Sequence, residues 1–222
     1  MTASKKSLLL LLGISLATQA TTSLVGGLIG IGPFTQVEDL SGIASNTSNV
    51  YVGIILQIIT ALVILVLATA LYQTGKHINK TIAIIAFGLY LTEVVLHLVT
   101  QIIVFTFAEV SQQFALSGDT MLIIIGNLLS TARNFCGNIT MIPFGLGAIL
   151  FYYLITKATI IPKWLGYWGI ISVSLIFIGS HLTIFGVSVP FVLFAPYVPW
   201  EWVAGVYIFI KGLREKDSRE LP

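Results

Sequence analysis

The sequence predicts an all-α protein: a polytopic transmembrane helix bundle of six spans with both termini in the cytoplasm. Three observations carry this. First, 56% of the 222 residues are hydrophobic and only 9% are charged, against about 25% charged in a soluble domain, and the mean hydropathy is +0.98. No water-soluble core buries that much apolar surface, so lipid must be the solvent. Second, the apolar residues fall into six long stretches. Each can cross a hydrocarbon core of about 30 Å, which takes roughly 20 helical residues. Third, nearly every Lys and Arg sits at one set of their ends. Strand-type alternation is absent, which disfavours a membrane barrel.

The spans run roughly over residues 7–31, 50–71, 82–107, an awkward fourth stretch, 164–185 and 190–210. The fourth ends near residue 155 and begins somewhere in 121–136. A single helix over residues 120–157 would reach about 57 Å at 1.5 Å per residue, more than one span needs. Two full spans there would make seven and reverse the orientation of everything after them. The reading adopted is a long fourth helix, or an interfacial segment over 121–132 leading into a span from about Asn134. The N-terminus has a rival reading. Lys5-Lys6, the leucines from Leu8 to Leu12 and Ala17-Thr18-Gln19-Ala20 resemble a signal peptide whose removal would leave five spans. The apolar run continues through Val25, Leu28 and Ile31, which favours retention as a span. Residues 1–214 then form a single membrane domain, and 215–222 a short charged cytoplasmic tail.

Charge sets the orientation. Lys5 and Lys6 precede the first span; Lys76 and Lys80 separate the second from the third; Lys157 and Lys163 separate the fourth from the fifth; Lys211, Arg214, Lys216 and Arg219 follow the sixth. With six spans all fall on one side, which the positive-inside rule makes cytoplasmic. The opposite loops hold Glu38, Asp39, Glu109 and Asp119 and no Lys or Arg. The net charge of +2 is thus an anchor to one membrane face and not a nucleic-acid signal. The protein belongs in the cytoplasmic membrane, with the bilayer as its first partner.

Ionisable residues within spans are expensive and mark functional positions. Tyr90, Glu93, His97 and Gln101 recur at helical spacing and share one face. Glu93 lies about 20 Å from Lys80 on helix rise alone, near mid-membrane. A carboxylate there must pair, hydrogen-bond or take a proton, and His97, one turn on, is a candidate partner. In the fourth span Asn127, Thr131, Asn134 and Asn138 form one stripe, with Ser130, Arg133, Gly137 and Thr140 beside it. Such a face cannot point at lipid, so it faces the bundle or water; Arg133 could neutralise Glu93 or Glu201, hold an anion, or snorkel to headgroups.

His181 matches His97 in depth, so the two could ligate a haem or a metal. With no further ligand and no motif spacing, a hydrogen-bonded core histidine is the better reading, and no metal is assigned. Glu201 follows Pro196 and Pro199, which disfavour an unbroken helix. A helix starting near Pro199 would place Glu201 in its first turn, where a carboxylate suits the positive end of the dipole. Ser15, Gln19 and Thr22 on the first span, and Gln57 and Thr60 on the second, add to a polar interior. Gly26 and Gly30 allow close helix approach and are not a phosphate loop. Asn46-Thr47-Ser48 fits a glycosylation sequon, a pattern common by chance. Cys136 is the one cysteine, so no internal disulfide forms. There is no nucleophile elbow, HExxH, CxxC or Walker signature.

The segments GLGAILFYYLITKATIIPKWLGYWGI and PWEWVAGVYIFIKGL resemble the prokaryotic membrane family called domain of unknown function 4386. The matching positions are Ile161, Pro162, Trp164, Leu165 and Gly166, then Glu201, then Lys211 and Gly212. The resemblance spans about residues 7–213 and is sharpest after Gly145. It implies six or seven helical spans and no established activity. Relatives tend to carry RLxEA in the third span; here YLTEVV keeps Glu93 but has Tyr90 in place of the Arg, which leaves His97 to balance Glu93.

The leading functional reading is a polar intramembrane pocket of Glu93, His97, Arg133, Asn134, Asn138, His181 and Glu201 that binds or transports a small molecule or ion, with proton coupling. The alternatives are a sensor, immunity or assembly partner whose polar groups only fix helix packing, and, ranked last, an intramembrane enzyme. The orientation is directly testable. A fluorescent protein fused after Pro222 should fluoresce in the cytoplasm, whereas alkaline phosphatase at the same position should be inactive.

Overall fold

The computed structural model describes residues 4–30, 32 and 40–215. Among these the chain forms α-helices and one short 3-10 turn, with no strand: α1 (Lys5–Ile29), α2 (Leu40–Ser45), α3 (Thr47–Gly75), α4 (Lys80–Ser117), α5 (Met121–Lys157), α6 (Lys163–Ile184), the turn Phe191–Leu193, and α7 (Tyr197–Arg214). Glu38 and Asp39, and the tail from Lys216 with Arg219, lie outside the described residues.

Local chemistry sets the helix ends. Ser4 caps α1 by accepting from the Ser7 amide at 3.2 Å, and Asn79 caps α4 by accepting from the Ile82 amide at 3.0 Å; each satisfies an amide with no partner inside the helix. α4 stops at Gly118, whose φ of +66° is a left-handed conformation that glycine adopts without strain. Pro162 sits at the start of α6, where a missing N–H costs nothing.

Five helices, α1, α3, α4, α5 and α6, are long and apolar enough to cross a membrane. α7, with 18 residues, carries Glu201, Lys211 and Arg214 and falls outside that set. The long helices form a ring. α1 packs on α3, α3 on α4, α4 on α5 and α5 on α6; α7 closes the ring along α1 and touches α6 more lightly. In lipid no hydrophobic force draws helices together, so close packing must do it, and small residues allow it. Gly13 of α1 sits so near α7 that a Cβ there would lie 2.6 Å from the Phe209 nitrogen and 2.7 Å from the Gly205 oxygen. Gly26 and Gly30, the pair expected to allow close approach, play the same part between α1 and α3, where they meet Gly53. Trp200 is fully buried, its ring against Gly169 of α6 and its Nε1 donating to the Leu165 carbonyl at 2.7 Å.

The basic residues at the described helix ends gather at one end of the ring, Arg133 of α5 lying elsewhere. Lys5 pairs with Glu215 at 2.6 Å, and Lys211 Nζ donates to the carbonyls of Thr159 and Ile160. At the other end the α4–α5 hairpin projects. These helices have 38 and 37 residues, about 55–57 Å at 1.5 Å each. α2 packs against this projection, where Leu40, Ile43, Val50, Val104, Phe107 and Ala108 form a second, smaller core.

One expectation holds and one changes. Residues 121–157 make one continuous helix, the long fourth helix of the two readings adopted, not an interfacial segment followed by a span and not two spans. It runs through Pro143, whose lost hydrogen bond is offset by packing along the equally long α4. The last helix begins at Tyr197, not near residue 190. Pro190 and Pro196 flank the intervening turn, and neither can donate to a helical ladder.

Ring closure makes an opposed pair of predictions. Gly→Ala within a helix ordinarily gains about 1 kcal/mol, but overpacking costs about 1–3 kcal/mol. Gly13→Ala should therefore lower the thermal midpoint of the detergent-solubilised protein. Gly88→Ala, where nothing lies within 4 Å of the added carbon, should leave it unchanged or raise it.

Candidate functional site

Two acidic side chains meet inside the ring. Glu93 on α4 and Glu201 on α7 each lie 13 residues from a basic helix end, Lys80 and Arg214, about 20 Å along the helix. Antiparallel packing of alternate helices thus brings them to one depth. Each is only 5% exposed, and both face a cavity of about 400 Å³ walled by all six long helices.

Their surroundings differ. Glu201 Oε1 accepts from Tyr197 Oη at 2.7 Å and from Gln19 Nε2 of α1. Tyr152 of α5 donates in turn to Tyr197 at 2.9 Å. This chain ties α5, α7 and α1 together and gives Glu201 two donors. Glu93 has no such support: its Oε2 is buried without a hydrogen-bond partner, as is Gln19 Oε1. Neither carboxyl forms an ion pair among the described residues. Unpaired buried polar groups are costly and point to function or to an absent ligand.

The expected Glu93–His97 pairing does not form. One turn of helix puts both on the cavity wall, but the His97 ring turns toward α3, where Nε2 donates to Gln57 Oε1 at 3.0 Å. Gln57 in turn donates to the Ser23 carbonyl at 3.1 Å. Behind this link lies a second cavity of about 210 Å³, bordered by Gln101, Arg133 and Thr140 and by the glycines of the α1–α3 contact. His97 and Met141 border both cavities.

The other predicted residues disperse. Arg133 borders the second cavity, beside Asn134 Oδ1 at 3.5 Å, and neutralises neither Glu93 nor Glu201. Asn127, Thr131 and Asn134 are exposed, as a stripe that faces the bundle or water allows; the adjoining Ser130 and Thr140 are the buried ones. Depth explains the exposure. These three residues lie about 35–45 Å along α5 from Lys157, beyond a 30 Å core, so exposure there costs little. Asn138 is half-buried and borders neither cavity. His181 Nδ1 donates to the Phe177 carbonyl of its own helix at 2.7 Å and lines neither cavity, so it is not brought together with His97. Among the described residues no group of three or more His, Cys, Asp or Glu could hold a metal. Glu201 is not a first-turn residue: α7 starts four positions earlier, at Tyr197.

Sequence reasoning missed Tyr152 and Tyr197 as site residues. Tyr197 carried a readable signal, one helical turn before Glu201. Tyr152 carried none, because its link to Tyr197 crosses between helices.

Residues 7–212 match the family described as domain of unknown function DUF4386, and the chain belongs to it. No curated protein and no solved structure matches the chain.

The tyrosine relay gives a stability prediction. Tyr197→Phe removes a donor to Glu201 and an acceptor for Tyr152, and interhelical bonds in membranes are worth about 0.6 kcal/mol each, up to about 1.7. Unfolding in mixed micelles should show a loss of about 1–2 kcal/mol, and Tyr152→Phe a smaller one.

Proposed function

We propose that this protein is a six-span protein of the cytoplasmic membrane, both termini inside, that binds or transports a small molecule or ion with proton coupling at the Glu93–Glu201 cavity. The observation that carries this reading is two buried carboxyls facing one cavity with no cation to pair them. A charge in so apolar a setting needs neutralising, by a proton or by a positive ligand. If both compete for Glu93, the arrival of one favours release of the other, and binding becomes linked to protonation.

Several features support six spans. α7 runs antiparallel along α1: Gly212 lies by Leu10, Glu201 by Gln19, and Trp202 Nε1 donates to Thr21 Oγ1. A helix lying beside α1 over this length crosses what α1 crosses. The clustering of Lys5, Lys211 and Arg214 at one end suits a cytoplasmic face.

A second reading, a non-catalytic sensor or assembly partner, is favoured by the Tyr152–Tyr197–Glu201–Gln19 chain, which works as a clasp among three helices with no ligand present. Native mass spectrometry of the purified wild type beside Glu93→Gln and Glu201→Gln separates the two. A stoichiometric non-lipid adduct in wild type, lost in both variants, is the expected result. Bare protein throughout, with Glu201→Gln destabilised and Glu93→Gln unaffected, would favour the clasp.

A further inference from the structure

We infer that the occupant of this cavity is a small amphiphilic ammonium compound, a protonated primary amine on an apolar body. The inference rests on the pocket reading above and adds the ligand's chemistry. The unmet polar atoms on the wall are acceptors: Glu93 Oε2 and Gln19 Oε1 are both buried and unpartnered. An occupant must therefore bring N–H or O–H donors. The charged groups point the same way. Glu93 and Glu201 border the cavity and no Lys or Arg does, while the His97 Nε2 proton is already given to Gln57. A cationic donor is matched to both facts, because hydrogen bonds to a carboxylate from a charged donor are the strong ones.

The rest of the wall excludes a bare metal ion as the best fit. Ile64, Met141, Phe144 and Ile176 offer carbon, or a thioether, where a hard cation needs six or more oxygens. A volume of about 400 Å³ lies within the range of about 300–1,000 Å³ for small-molecule sites. The apolar side chains suit an alkyl or aryl body, with the Phe144 ring beside it. Leu24 and Leu28 of α1 border the cavity and are exposed, so its rim on this side is apolar. An amine with an apolar body suits this rim better than a hydrated ion does.

Proton and ammonium compete in this arrangement. The titratable groups facing the cavity are Glu93 and His97 from α4 and Tyr197 and Glu201 from α7. α1, α3, α5 and α6 contribute none to its lining, though Tyr152 stands behind Tyr197. Lowering the pH supplies protons to the carboxyls and should weaken amine binding.

The test is calorimetric titration of the full-length protein in lipid nanodiscs with four probes: hexylammonium, hexyltrimethylammonium, hexanol and Mg²⁺. Hexylammonium should bind saturably, at least about tenfold tighter than hexanol or the quaternary analogue, which lack the charge and the N–H donors respectively. Its affinity should fall as pH is lowered. Glu93→Gln should weaken it by about tenfold or more. Ile176→Trp, which fills the apolar side and leaves both carboxyls in place, should abolish binding independently of any folding defect at Glu93. Equal binding of hexanol or of the quaternary analogue, or Glu93-dependent binding of Mg²⁺ in place of the amine, would overturn the ammonium assignment and leave the pocket standing. Binding of none of the four would overturn it as well; the pocket itself then falls only if native spectra are also bare.

Discussion

The approach of α1 to α7 is the contact on which the remaining geometry depends. Gly13 and Gly205 bring the two backbones together, and this closes a ring that would otherwise stay open between its first and last helices. Closure delivers Gln19 to Glu201 and brings Glu201 to the same cavity as Glu93. In lipid such an approach cannot be driven by the hydrophobic effect. It needs surfaces smooth enough for dispersion contacts along the whole interface, so single glycines govern the position of residues several turns away.

Within the ring, polar groups divide into a satisfied and an unsatisfied set. Tyr152, Tyr197, Glu201 and Gln19 form a connected chain, and His97, Gln57 and the Ser23 carbonyl form another. These account for polar side chains from five of the six long helices. Glu93 stands between the two chains and joins neither. A purely structural clasp would be expected to satisfy its most expensive member first. A clasp alone does not account for this unpartnered carboxyl oxygen. The second cavity beyond His97 extends a polar interior toward Arg133, so the His97–Gln57 bond separates two compartments of different charge.

Much of the fold was legible because lipid imposes simple rules. Apolar length marks the helices and Gly26 and Gly30 a face for close helix approach, while the distribution of Lys and Arg marks one end of the bundle. Helix limits were less legible. α4 and α5 outrun any single span because they support each other outside it, and hydropathy says nothing of mutual support. The candidate site was half legible. Glu93 and Glu201 stood out as charges in apolar sequence, and Gln19 as a polar residue on an otherwise apolar helix. Asn134 and His181 looked equally unusual but lie outside the cavity. Thr131 bonds to the Asn127 carbonyl of its own helix, and His181 bonds likewise to Phe177. A polar side chain that can satisfy itself on the preceding turn need not face the interior.

The sequence by itself determined the solvent of this protein, its helical class and the mid-span depth of Glu93, because these follow from composition and from distance along a helix. Only the tertiary structure decided that Glu93 and Glu201 line one cavity, that His97 turns to Gln57 instead of Glu93, and that Arg133 is kept in a separate compartment. Partner choice depends on the rotation of each helix about its axis and on which glycines meet. Those are properties of packed pairs, and no single helix carries them.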